Sequence, residues 1–186
     1  MKNICILCLS DIHFVPNQHE GFGLVARLFF KDLEKQLSQY DKENVYCIIA
    51  GDLVNIGGKY ENYIRFYEQF YTNLAKLVKP DNIICTPGNH DLDREVLSDK
   101  KWKKKHNELI QSNADEVAYN QMLMDENESV ILKKFNNYDT FCRQRLNMPE
   151  YNLFGFSRNI IPEISIFFLN SALLSNGGKK GFPDDM

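Results

Sequence analysis

The chain has 186 residues, of which 44% are apolar, and a formal net charge of −3. That length suffices for one domain with a sizeable core and is short for two. The charge gives no global footprint for nucleic acid or an anionic membrane, and no stretch of the sequence approaches the length of a membrane span.

Strands and helices alternate along the first half of the chain. Apolar runs predict strands over 3–9, 44–50 and 82–86, and helical spacing of apolar residues predicts helices over 22–39 and 60–78. We interpret the aromatic residues of the second helix as a face packed on the sheet. Strands separated by helices of this length pair in parallel through right-handed crossovers. The sequence therefore predicts an α/β fold in which the carboxyl ends of three strands share one edge.

The pattern changes after the third strand. Residues 95–150 are polar, charged and helical in pattern, with a long helix predicted over 127–146, and we interpret them as a helical insertion. Strands predicted over 154–157 and 163–170 follow. The sequence then stops where another sheet segment is expected. We therefore expect 1–186 to be a single domain that is incomplete at its C-terminus.

A short polar segment follows each of the three predicted strands. The segments are Ser10-Asp11-Ile12-His13, Gly51-Asp52 and Gly88-Asn89-His90-Asp91. Carboxylate, imidazole and amide groups are ligands of divalent metal ions. An ordinary turn is the plain alternative for any one segment, because Asp, Asn and Gly are frequent in turns. Three such segments at strand ends favour a metal site over three unrelated turns.

The order D-x-H, G-D, G-N-H-D resembles that of the calcineurin-like metallophosphoesterases. The resemblance implies a layered sheet with flanking helices and a helical insertion. It implies that Asp11 and His13 bind a first metal ion, that Asp52 bridges two ions, and that Asn89 binds the second. The implied cofactors are two divalent ions, Mn, Fe, Zn or Ni, which the mixed nitrogen and oxygen ligands suit better than Ca.

The same resemblance implies hydrolysis of a phosphoester by a metal-bridging hydroxide. It makes His90 catalytic, beside the substrate phosphate, where it donates a proton to the leaving oxygen or stabilises it, and it places Asn89 against the substrate too. Asp91 is implied to assist by orienting the loop or the imidazole. The sequence around these segments is similar to that of bacterial phosphodiesterase-type members, which implies a phosphodiester substrate, either a nucleotide or a nucleic acid.

The family's later histidine ligands have no counterparts in this sequence. No histidine follows Leu169, and only His19 and His106 remain outside the three segments. We interpret both as surface residues, although His19 follows the first segment closely enough to approach the site. We therefore expect the N-terminal part of a longer protein with further domains, and we expect this part alone to be weakly active or inactive. The alternative is a catalytically incomplete scaffold or regulatory domain that binds a partner.

A run of lysines at 100–105 has two interpretations. The favoured one is a solvated helical face. The other is a contact with the phosphates of a nucleic-acid substrate, with Trp102 stacking on a base. Trp102 could equally anchor the insertion to the core.

The five cysteines favour a reducing compartment, which we take to be the cytoplasm. Their number is odd and their spacing suggests no disulfide framework. Cys5 and Cys8 form a C-x-x-C pattern, but residues three apart on a strand point to opposite faces. We therefore predict buried free thiols rather than a zinc or redox site.

Overall fold

The computed structural model describes residues 3–16, 20–100, 103–104, 107 and 132–175. The helices and strands are, in chain order, β1 (Cys5–Leu9), α1 (Glu20–Leu37), β2 (Val45–Ala50), α2 (Tyr60–Phe66), a π turn (Tyr67–Tyr71), α3 (Thr72–Leu77), β3 (Ile83–Thr86), α4 (Asn136–Arg145), β4 (Gly155–Ile161) and β5 (Ile164–Leu169). Short 3₁₀ turns, including Asn89–Asp91 and Lys133–Phe135, lie between them.

The central sheet contains three parallel strands in the order β1-β2-β3. Cys5 lies opposite Val45, and Cys47 lies opposite Ile83. The inward-facing side chains of β2 and most of β3 are buried, as expected for strands covered by helices. The predicted α/β fold with a parallel sheet and flanking helices is therefore confirmed.

The second predicted helix is not continuous. Over 60–78 the structure has α2, then a π turn, then α3. The rings of Phe66 and Phe70 stack with centroids 5.5 Å apart, and those of Tyr67 and Tyr71 stack at 5.0 Å. The wider turn thus accommodates paired aromatic rings, which periodicity alone does not reveal. Phe66, Phe70 and Tyr71 are buried, which confirms that this face packs into the core.

The last two strands form a hairpin separate from the central sheet. β4 and β5 pair in antiparallel fashion, with Gly155 opposite Leu169. β4 extends beyond the predicted 154–157. The prediction stopped short because polar residues such as Arg158 interrupt the apolar pattern of the strand. The Tyr46 hydroxyl on β2 donates to the Ile160 carbonyl at 2.9 Å, which ties the hairpin to the central sheet.

The described residues cover both ends of the predicted insertion, 95–100 with 103–104 and 107, and 132–150. The long helix predicted over 127–146 appears as the 3₁₀ turn Lys133–Phe135 followed by α4, and residues 108–131 lie outside the described part. α4 packs against α2, where the rings of Phe141 and Tyr63 stack with centroids 5.3 Å apart. This end of the insertion therefore belongs to the same core as the sheet.

Helix α1 buries only part of its predicted apolar stripe. Leu33 and Leu37 are buried, whereas Leu24 and Leu28 are 50% and 59% exposed.

β1 is likewise open on one face, and Cys8 is exposed there, so the prediction of buried thiols is wrong at Cys8. All five thiols are free. Among the described residues, no helix has the length and apolar character needed to cross a bilayer.

Candidate metal centre

The loops that follow the three parallel strands meet at one edge of the sheet. The backbone N–H of His13 donates to the carbonyl of Asp52 at 2.9 Å, which joins the first loop to the second. The N–H of Gly51 donates to the carbonyl of Thr86 at 3.1 Å, which joins the second to the third. Parallel topology thus brings together segments far apart in sequence.

Three residues at this edge of the sheet have a left-handed backbone conformation. Asp11, His13 and Asp52 have φ of 52°, 44° and 51°. In the part of the chain that the structure describes, no other residue except glycine has a positive φ. Such a conformation costs free energy in a residue with a side chain and persists where the surroundings impose it. The strain is therefore concentrated where the predicted metal ligands lie.

The spacing of these three side chains fits a shared metal ion. The Nε2 atom of His13 lies 3.6 Å from Oδ2 of Asp52 and 3.7 Å from Oδ1 of Asp11. Two ligand atoms on one tetrahedral ion are about 3.4 Å apart, given bonds of about 2.1 Å. A direct charge-assisted hydrogen bond would instead bring the atoms to about 2.8 Å. The distances thus leave room for an ion between the imidazole and the carboxylates.

The imidazole of His90 completes a compact cluster. Its ring meets that of His13 edge to face, with centroids 4.5 Å apart. His13, Asp52 and His90 each place one ligand atom within 4.8 Å of the others. The backbone N–H of His90 donates to Oδ1 of Asp52 at 2.8 Å, and its Nδ1 lies 3.1 Å from the carbonyl oxygen of Asn55. Four of the predicted site residues, Asp11, His13, Asp52 and His90, are therefore adjacent.

Comparison with known families agrees with this geometry. The family described as calcineurin-like phosphoesterase matches residues 5–168. The chain belongs to that calcineurin-like phosphoesterase family. The cluster of His13, Asp52 and His90 at the sheet edge is a candidate site for a divalent ion.

One curated relative is the DNA polymerase II small subunit of Methanocaldococcus jannaschii. It is 28% identical to this chain over 130 residues. The match covers 63% of this chain and 22% of the relative, so the chain spans about a fifth of that protein's length. A search of solved structures gave no significant match.

Asp91 of this phosphoesterase domain lies beneath the cluster rather than in it. Its side chain is fully buried, and its Oδ2 accepts hydrogen bonds from the N–H groups of Gly88 at 3.0 Å and Leu53 at 3.2 Å. Its Oδ1 accepts from Val54 N–H at 3.3 Å and from the Tyr63 hydroxyl at 3.2 Å. Burial raises the pKa of Asp91 to about 7, against the opposing effect of the backbone N–H donors. The carboxyl group therefore holds two loops together.

Gly88 is required by the close approach of the second and third loops. A Cβ atom at this position would overlap the carboxylate of Asp52. Its backbone is extended, with φ of −110° and ψ of −174°, so any residue could adopt the conformation. The requirement for glycine is therefore steric, and it protects the position of the Asp52 side chain.

Asn89 opens the 3₁₀ turn that carries His90 and Asp91, and it is half-buried. His19, His106, Lys101 and Trp102 lie outside the described residues. Lys103 and Lys104 are exposed.

Two residues at this site, Asn55 and Tyr63, were not predicted from the sequence. Asn55 places its carbonyl against His90, and backbone groups leave no residue-type signal. Tyr63 reaches Asp91 from α2, and its sequence signal was hidden among six aromatic residues of the same helical stretch.

Proposed function

We propose that this chain supplies metal ligands and the proton donor of a dinuclear phosphoesterase that hydrolyses phosphodiester bonds. The observation that carries the proposal is the cluster of His13, Asp52 and His90, whose ligand atoms lie within 4.8 Å of one another. An arrangement of two imidazoles and a carboxylate on partly strained backbone is costly to hold without a ligand.

In this proposal Asp11 and His13 bind one ion, Asp52 binds both, and Asn89 binds the second. Asp52 is suited to bridging because its two oxygens face different neighbours, the His13 ring and the His90 backbone. Bound divalent ions supply Lewis acidity toward water and toward the phosphate oxygens. The Asp52 carboxylate is 7% exposed, and so it is held in a site with little competing water.

His90 is the proposed proton donor to the leaving oxygen. Its Nδ1 lies 3.1 Å from the Asn55 carbonyl, and an N–H at this atom donates there. That bond fixes the ring and leaves Nε2 to exchange a proton with the substrate. Asn55 is itself held by its N–H, which donates to the Phe14 carbonyl at 3.1 Å. Asp91 assists from below by holding the loop of His90.

A nucleotide or nucleic acid is the proposed substrate class. The named relative is a subunit of a DNA polymerase, and Lys103 and Lys104 are exposed cations on the insertion. If these lysines contact a phosphate backbone, Lys103→Gln with Lys104→Gln will lower the salt dependence of nucleic-acid cleavage. The same salt dependence in the double variant would show that these lysines do not contact the substrate, and a lack of nucleic-acid cleavage by the wild type would remove nucleic acid from the proposal.

The experiment for the activity uses bis(p-nitrophenyl) phosphate with Mn²⁺. Asp52→Asn and His90→Asn are each expected to lower kcat/KM by about 10³-fold, since several kcal/mol of transition-state stabilisation depend on them. Asp41→Asn is the matched control, because Asp41 caps a 3₁₀ turn by accepting from Glu43 N–H, on the far side of β2 from the cluster. Wild-type rates in both site variants would refute the enzyme.

The second candidate is a scaffold or regulatory domain in a larger, cytoplasmic protein. It is favoured by the exposed apolar residues of α1. Hydrolysis that appears only when further polypeptide follows Met186 supports the enzyme, with this chain as its first part. Metal binding without hydrolysis in the longer polypeptide supports the scaffold.

A further inference from the structure

The hydroxyl of Tyr63 reaches the underside of the metal centre from helix α2. It lies 3.0 Å from the backbone carbonyl oxygen of Asp91 and 3.2 Å from its Oδ1. Tyr63 is fully buried. Burial and the neighbouring Asp91 carboxyl raise the pKa of Tyr63, so the hydroxyl keeps its proton and donates it.

The Asp91 carboxyl also accepts hydrogen bonds from two loops. It accepts hydrogen bonds from the N–H groups of Leu53 and Val54, which directly follow Asp52, and from Gly88. With the Tyr63 hydroxyl, these donors occupy the acceptor sites of both carboxylate oxygens. We call Tyr63, Asp91 and these three N–H groups the clamp.

The clamp acts on the residues that make up the cluster. Leu53 and Val54 fix the backbone on the C-terminal side of Asp52, whose φ of 51° cannot relax while they are held. Gly88 lies against the Asp52 carboxylate. His90, which directly precedes Asp91 in the same 3₁₀ turn, donates its N–H to that same carboxylate at 2.8 Å.

We propose that Tyr63 is a positioning residue, whose hydroxyl sets the separation of Asp52 and His90 through the Asp91 carboxyl. The inference rests on the proposed function, because it assigns Tyr63 a role in the same metal centre. It goes beyond packing: the ring of Tyr63 contacts Phe141 and Tyr138, whereas the hydroxyl hydrogen-bonds to Asp91. Ring and hydroxyl can therefore be separated by experiment.

The test compares Tyr63→Phe with Tyr71→Phe in the 186-residue chain. Tyr71 is a matched control, since it is 3% exposed, lies in the next turns of the same helical stretch and stacks on Tyr67. The first readout is amide hydrogen exchange at Leu53, Val54 and Gly88 in metal-free protein. The second is the affinity for Mn²⁺ by titration.

We expect Tyr63→Phe to speed exchange at these amides about tenfold and to weaken Mn²⁺ binding about tenfold, and Tyr71→Phe to change neither. Loss of thermal stability in Tyr63→Phe with both readouts within about twofold of wild type would overturn the proposal. Faster exchange with unchanged Mn²⁺ affinity would also overturn it, because the loops would then loosen without moving the ligands.

Failure of the proposed function gives a different result. In that case the wild-type protein itself binds no Mn²⁺, and amide exchange alone decides. Faster exchange in Tyr63→Phe but not in Tyr71→Phe supports the clamp. Exchange in Tyr63→Phe equal to that of the wild type overturns it. Should Tyr63→Phe not fold, exchange in the wild type decides instead. The clamp predicts protection at Leu53 and Val54 close to that of the buried strand residue Ile84, and exchange as fast as an exposed loop would contradict it.

Discussion

The metal-centre edge and the outer face of α1 are built in opposite ways. At the edge, the carboxyl groups of Asp52 and Asp91 are buried and accept backbone hydrogen bonds, and strained backbone holds Asp11, His13 and Asp52. On the first half of α1, apolar side chains are open to solvent, with Leu24 and Leu28 at least half exposed. The ordinary pattern of burial is thus reversed in both places.

This difference shows which contacts the described chain supplies for itself. The edge is built from the three loops after β1, β2 and β3, whose backbone groups bind one another and Asp91, and the Tyr63 hydroxyl of α2 adds a donor to Asp91. Helix α1 packs against α3, and its Phe29 and Phe30 rings contact Phe70 of the π turn, whereas Leu24 and Leu28 stay exposed. A similar exposed pair, Phe167 and Leu169, lies on β5. The site's framework is therefore local, whereas these apolar surfaces are left without a cover among the described residues.

The largest expected effect separates the two halves of α1. Leu33→Ala should lower the free energy of unfolding by about 2–5 kcal/mol, because it opens a cavity in the core. Leu28→Ala, on the same helix, should change it by less than about 0.5 kcal/mol, since Leu28 is 59% exposed. Urea unfolding of both variants measures the difference. Equal destabilisation would show that the face of Leu28 is covered in solution.

The next effect concerns the packing of the site loops. Gly88→Ala should displace the Asp52 carboxylate, lowering hydrolysis about 100-fold and stability by about 1–3 kcal/mol. Gly23→Ala in α1 is the matched control, because no heavy atom lies within 4 Å of the added Cβ. It should be neutral or slightly stabilising. If the two substitutions have equal effects on hydrolysis and stability, the loops at the edge can accommodate a Cβ atom at position 88.

A smaller effect tests a buried cation at the end of the insertion. Burial lowers the pKa of Lys134 to about 7, and its Nζ donates to the Ser175 carbonyl at 2.6 Å. Between pH 7 and 9 the unfolded chain binds a proton at this lysine that the folded chain does not, so stability rises with pH. We expect wild type to gain about 1–2 kcal/mol relative to Lys134→Met over that range.

The control for that prediction is Lys133→Met, at the exposed neighbouring position. Thermal unfolding at pH 7, 8 and 9 compares the three proteins. A constant difference between wild type and Lys134→Met across these pH values would contradict the lowered pKa.

Local patterns were enough to predict the central sheet and the location of the site. β1, β2 and β3 are continuous apolar runs, and the polar residues after them are placed by parallel topology. The extent of β4 was not predictable, because Arg158, whose side chain is 14% exposed and pairs with Glu150, interrupts its apolar pattern. The π turn at Tyr67–Tyr71 depends on ring stacking, which leaves no trace in the periodicity.

Within the site, residue types could be predicted but their arrangement could not. The clustering of His90 with His13 depends on loop conformation, and so does the burial of Asp91 away from solvent. Tyr63 joins the site from a helix that is about 30 residues away in sequence, through a hydrogen bond that only the folded chain defines. The exposure of Leu24 and Leu28 was also missed, since periodicity identifies an apolar face but not what covers it.

Mn²⁺ binding to the 186-residue chain tests the central claim most directly. Equilibrium dialysis of wild type should show on the order of one ion per chain, held by Asp11, His13 and Asp52. The proposal gives the second ion only Asp52 and Asn89 in this chain, so that ion should bind weakly. At the same free Mn²⁺, Asp52→Asn should retain about one-tenth of that or less, because the carboxylate between the two histidine-bearing loops is lost. Equal binding by the two proteins, or none by the wild type, would contradict a metal centre at this edge of the sheet.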